Sequence, residues 1–88
     1  IVRQAFICSS ITSVKLGGGV KDIGDQAFFE CANLTSIIIP DNVTSLGYST
    51  FWGCSNLSSV IIGNGITEIG FNDFTNCTSL ISVIILIV

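Results

Sequence analysis

Four cysteines, Cys8, Cys31, Cys54 and Cys77, stand at intervals of 23 residues in a chain of 88. Residues of this type could bind a metal, form bridges or pack as free thiols. Zinc is disfavoured: no two cysteines form a CxxC pair, and the chain has no histidine. A redox bridge is geometrically conceivable if successive cysteines lie one layer apart, since disulfides need Cα atoms about 4.4–6.8 Å apart. However, side chains in a stacked column point the same way rather than at each other. Buried free cysteine behaves as a small hydrophobe, so four reduced, inward-facing thiols are the expectation.

Other chemistries fare no better. A nucleophilic Ser or Cys needs a neighbouring base, and without histidine only a lysine or carboxylate is on offer. Asp22 and Asp25 flank the Ile23-Gly24 corner, but no other segment repeats the pair, so they read as solvated corner charges. Gly17-Gly18-Gly19 lacks the following Lys-Ser/Thr of a phosphate loop. The expectation is a non-enzymatic protein with no cofactor and no metal. Asn33, Asn42, Asn56 and Asn76 each begin an N-x-S/T acceptor pattern, which the repeat composition itself produces.

The cysteine spacing belongs to a period that covers the whole chain. Leu34-x-x-Ile37-x-Ile39 becomes Leu57-x-x-Val60-x-Ile62 and then Leu80-x-x-Val83-x-Ile85. Fixed self-similarity of this length signals stacked supersecondary units. The units run approximately over 1–22, 23–45, 46–68 and 69–88, in one domain. The first is one residue short, between Phe6 and Cys8. The alternation after each leucine predicts a strand, with Ile37 and Ile39 on one face and Ser36 and Ile38 on the other. A corner follows, Pro40-Asp41-Asn42 or Gly63-Asn64-Gly65. Val43 to Leu46 and Ile66 to Ile69 predict a second short extended piece. Asp25 to Cys31 is expected to form one tight helical turn. One unit cannot bury its apolar stripe alone, but stacked copies can. Ladders of Phe6, Phe28, Phe51 and Phe74, and of Leu34, Leu57 and Leu80 above Ile11, should then line the interior.

Composition agrees. Hydrophobic residues make up 49% and charged residues 10%, against about 25% charged in an average soluble domain. The net charge of -3 is not clustered, so nucleic acid is not an expected partner. No apolar run reaches the roughly 18 residues of a membrane span. The chain starts without Met and without the pattern of a secretory signal, which suggests a mature or excised piece.

The run AFFECANLTSIIIPDNVTSL, from Ala27 to Leu46, resembles the BspA-type leucine-rich repeat, and the likeness extends over essentially the whole chain. Alanine precedes phenylalanine only at Ala5 and Ala27, and the proline occurs once, at Pro40. The resemblance implies a mainly β, right-handed leucine-rich-repeat solenoid of about four 23-residue coils, with parallel stacked strands and one short helical turn per coil. It also implies a surface or secreted protein that binds matrix proteins or other cells, and no catalytic site.

The outward strand face is the expected binding surface. Ser36, Ser59 and Ser82 should form a column, with Ser13 below and Thr12, Thr35 and Ser58 alongside. Ile38, Ile61 and Ile84 should form an apolar strip, with Lys15 below. Exposed strips of this kind mark contact surfaces. The partner expected there is a protein or cell-surface ligand. An alternative rests on the ends, which carry no polar cap. Coils of neighbouring chains could continue one another through Ile1 and Val2 at one end and Ile84, Ile85, Leu86, Ile87 and Val88 at the other, giving a filament.

Overall fold

The computed structural model describes residues 1–70 and 72–86. Among these residues are five short strands: β1 (Asp22–Ile23), β2 (Ser36–Ile39), β3 (Ser45–Leu46), β4 (Ser59–Ile62) and β5 (Ser82–Ile85). They form two parallel sheets, β2-β4-β5 and β1-β3. Ser36 pairs with Ser59 and Ser59 with Ser82, while Asp22 pairs with Ser45. Each pairing joins residues one repeat apart, so the sequence period is the register of the sheets. The alternation of strand side chains puts Ile37, Ile39, Val60 and Ile62 inside. The interior ladders follow. The rings of Phe6, Phe28, Phe51 and Phe74 stack with centroids 5.4, 5.4 and 5.6 Å apart. Leu34, Leu57, Cys31 and Cys54 are fully buried beside them.

The expected helical turn at Asp25 to Cys31 is not formed; the described residues contain no helix. A run of tight turns takes its place. Amides alternate in direction along it. Ala27, Phe29 and Cys31 donate within the coil, to the carbonyls of Gly24, Gln26 and Phe28. Gln26, Phe28 and Glu30 donate outward, to Tyr48, Thr50 and Trp52 of the next coil at 3.0, 2.9 and 2.7 Å. A helix would spend every amide on its own coil. The alternation requires a left-handed residue at two points per coil. Gln4, Gln26, Ser49 and Asn72 form one such column, with φ of 60°, 57°, 53° and 62°. Cys8, Glu30, Gly53 and Asn76 form the other. Such backbone costs of order 1–3 kcal/mol per non-glycine residue, which the bonds between coils offset.

The extended piece expected at Ile66 to Ile69 is not a strand either. In the two coils before it, Gly24 and Gly47 donate to the preceding extended piece, at Ile1 and Ile23, both at 2.8 Å. Gly70 instead donates to the Asp73 carboxylate at 2.7 Å. The aspartate thus takes the amide that would extend the β1-β3 sheet. The glycine column has a steric cause: a Cβ on Gly47 would collide with the main chain of Asp25, and one on Gly24 with that of Arg3.

Among the described residues, the fully buried apolar side chains all belong to the two middle coils. Phe51 has a ring on both of its faces, whereas Phe6 has one and is partly exposed. Phe51→Ala should therefore cost about 3–5 kcal/mol in urea denaturation, and Phe6→Ala clearly less. Equal losses would mean that the stack does not set the burial.

Candidate binding surface

The outer positions of the larger sheet are Ser36 and Ile38, Ser59 and Ile61, Ser82 and Ile84, in register across β2, β4 and β5. Parallel strands lie about 4.8 Å apart, so the isoleucines touch as a strip. Ile38 is 60% exposed and Ile84 50%, with Ile61 half-buried between them. Beside the strip, Ser58 donates its hydroxyl to the Thr35 carbonyl at 3.1 Å, and Ile81 projects almost freely. The face carries hydroxyls and methyls and no charge.

The column does not extend into the first coil as the spacing predicts. Ser13 and Lys15 belong to no strand. The reason lies at one position of the repeat. Gly63 donates its amide to Ile39 at 2.7 Å, and Leu86, one coil on, donates to Ile62 at 2.8 Å. The same place in the second coil is Pro40, which has no amide to give. The last main-chain bond to the first coil before β2 begins is from Thr35 to Thr12, stretched to 3.4 Å. Past it a groove of about 380 Å³ opens, with Val14, Lys15 and Leu16 on one wall and Ile37, Ile38 and Pro40 on the other. The corner beyond is tied again: the Asn42 side-chain amide donates to the carbonyls of Val20 at 2.6 Å and Gly17 at 3.3 Å. Asn42 is a corner tie, and the nitrogen a glycan would take is the one it uses.

The residues expected at the ends fall as follows. Val2 is exposed and Ile1 partly buried. Ile84, Ile85 and Leu86 are exposed. Ile87 and Val88 lie outside the described residues.

All four cysteines are free, but only three face inward. Cys8 is exposed, against expectation, because the shorter first coil sets it in the column of Glu30 and Gly53 and not in that of Cys31. Cys31, Cys54 and Cys77 each donate the thiol to the carbonyl of Phe6, Phe28 and Phe51 of the coil before, at 3.0–3.1 Å. Burial raises all three thiols, Cys54 to about 12, which keeps them protonated and poor nucleophiles. Among the described residues no three His, Cys, Asp or Glu side chains are placed to hold a metal ion. No helix there is long and apolar enough to cross a membrane.

The carboxylates have more to do than corner solvation. Asp25 accepts from the Tyr48 amide at 3.0 Å and Asp41 from the Asn64 amide at 2.8 Å. Asp22 accepts from the Ser45 hydroxyl at 2.9 Å. Each joins one coil to the next. Asp73 is the one that sequence reasoning passes over. It replaces Ala27 and Thr50 of the earlier coils and is 1% exposed. Its two oxygens accept from Thr50 at 3.0 Å and Gly70 at 2.7 Å. The Thr50 hydroxyl in turn donates to the Gly47 carbonyl at 2.8 Å. The only sequence hint is a charge at an alanine position.

Burial raises the Asp73 carboxyl above its ordinary value of 3.8; Asp25 adds to this, and the Thr50 and Gly70 amides oppose it. The folded state thus holds this proton more tightly than the unfolded chain does. The resulting stabilisation is full below the ordinary carboxyl value and is lost as pH rises through the raised one. Urea midpoints of the native chain should accordingly fall with rising pH, relative to Asp73→Asn, across that window. A difference that rises or stays flat would contradict the assignment.

A family model, "BspA type Leucine rich repeat region (6 copies)", matches residues 1–86. A search of curated proteins gives no match. Among solved structures, the chain is similar to a leucine rich cell surface protein from Faecalibacterium prausnitzii A2-165, with 23% identity and a TM-score of 0.45. The alignment covers 88% of this chain and 32% of that one, so this chain matches about a third of that protein's length. With the family model spanning nearly every residue, the chain belongs to the BspA-type leucine-rich repeat family.

Proposed function

We propose that the chain is a non-enzymatic binding and adhesion module of a surface or secreted protein, and that it recognises a protein or cell-surface partner through the outer face of β2, β4 and β5. The observation that carries this reading is the in-register strip of Ile38, Ile61 and Ile84 on an uncharged face. Apolar strips rimmed by hydroxyls are what contact surfaces offer. Repeat stacking supplies the rest, because it builds a long, rigid, regular surface from a short unit. We take the coils to wind right-handed, as crossover connections between parallel strands do in about 98% of cases.

A second reading has one specific support. All four residues of β5 are exposed, and its edge has no neighbouring strand among the described residues. Open edges pair with other chains, so end-to-end stacking between Ile1 and Val2 and the Ile84 to Leu86 region would give a filament.

Beads coated with the chain separate the two readings when tested on films of matrix protein and on cell layers, alongside sedimentation of the free chain. Ile61→Lys should abolish adhesion and change the unfolding free energy by no more than about 0.5 kcal/mol, as surface changes do. Undiminished adhesion by the lysine variant would remove this face from consideration. Growth of the sedimenting species with concentration would favour the filament.

A further inference from the structure

The groove between the first coil and β2 is a feature of a different kind from the flat strand face. It lies where the stack fails to close, and it has three properties together. The first is an open strand edge. Ile39 turns its carbonyl toward the third coil, where Gly63 donates to it. Main-chain direction alternates along a strand, so Ile38 turns its amide and carbonyl toward the first coil. No strand of that coil pairs with it. The second property is apolar walls, from Val14 and Leu16 facing Ile37 and Pro40, enclosing about 380 Å³. That volume is at the lower end of the roughly 300–1,000 Å³ of ligand sites. The third is charge. Lys15 lines the groove. It is one of three cations in a chain of net charge -3, and the neighbouring strand face is uncharged.

We propose that this groove binds a short, extended, acidic peptide segment of a partner protein, pairing the segment's main chain with Ile38 and a carboxylate with Lys15. The proposal rests on the binding reading above and adds a second recognition element to it. A donor and an acceptor on one strand residue match the main chain of another strand, the basis of recognition by strand addition. Pro40 ends the open edge, because it offers no further donor, and so limits the paired stretch to a few residues. Apolar side chains at alternate positions of the segment would face Val14, Leu16 and Ile37. Carboxylates between them would face solvent and Lys15.

The test uses the isotopically labelled full chain and two synthetic probes, acetyl-Val-Glu-Val-Thr-Val-amide and the same peptide with lysine in place of glutamate. Amide spectra are followed during titration. The acidic peptide should give saturable shifts at Ile38 and at Val14 to Leu16. Lys15→Glu should weaken it at least tenfold and make the lysine peptide the better ligand. Pro40→Ala restores an amide facing Leu16; it should close the groove and weaken both peptides on either chain. Ile61→Lys should leave the titration unchanged, so that loss of adhesion by that variant and loss of peptide binding here are separate results. Three outcomes would overturn the proposal: no saturable shift at Ile38, equal affinity for the two peptides, or binding of decanoate at the same residues without binding of the peptide. The last would make the groove a site for a fatty carboxylate.

Discussion

The structure depends on how the amides of each turn segment are shared. Gln26, Phe28 and Glu30 give theirs to the next coil; Ala27, Phe29 and Cys31 keep theirs at home. A buried amide must find a partner, and alternate amides of this segment find theirs on the next coil. Sending alternate donors across the gap satisfies both coils and fixes their register. The phenylalanine column, the cysteine thiols on phenylalanine carbonyls, and the glycines with main chain beneath them all require that register. The left-handed residues are the cost of the alternation, and they recur at the same two places in all four coils.

Two residues depart from this scheme, and each changes the surface. Asp73 captures the amides of Thr50 and Gly70, so the smaller sheet stops at two strands and a carboxylate sits inside the stack. Pro40 withholds the amide that Gly63 and Leu86 supply in their coils, so the first coil stands away from β2. In both cases one side chain alters one ladder bond, and the coil beside it relaxes. Repeat proteins allow this because each unit contacts only its neighbours. The even part of the stack is then the rigid face of Ile38, Ile61 and Ile84, and the uneven part is the groove beside it.

Much of this was legible in the residues. The period named the strand register, the buried alternation at Ile37 and Ile39, and the phenylalanine and leucine ladders, because burial repeats when the sequence does. The turn segment was not legible. Left-handed backbone is usual for glycine and asparagine, yet Gln26, Glu30 and Ser49 adopt it here. Their types carry no signal for it; only Gly53, Asn72 and Asn76 do. A seven-residue stretch with two aromatics therefore reads as a helical turn. The groove was hidden for another reason. Pro40 looks like an ordinary corner residue until its counterparts Gly63 and Leu86 are seen to donate. Of the candidate surface, the isoleucine strip and the serine column of three coils follow from alternation alone, whereas the place of Lys15 depends on a bond that is missing.

The most direct test is a nuclear Overhauser spectrum of the labelled chain in solution. Stacking in register predicts contacts between the Phe28 and Phe51 rings, and between the Phe28 amide and the α-proton of Thr50. Contacts confined to residues three or four apart in the turn segment, with none between those rings, would contradict it.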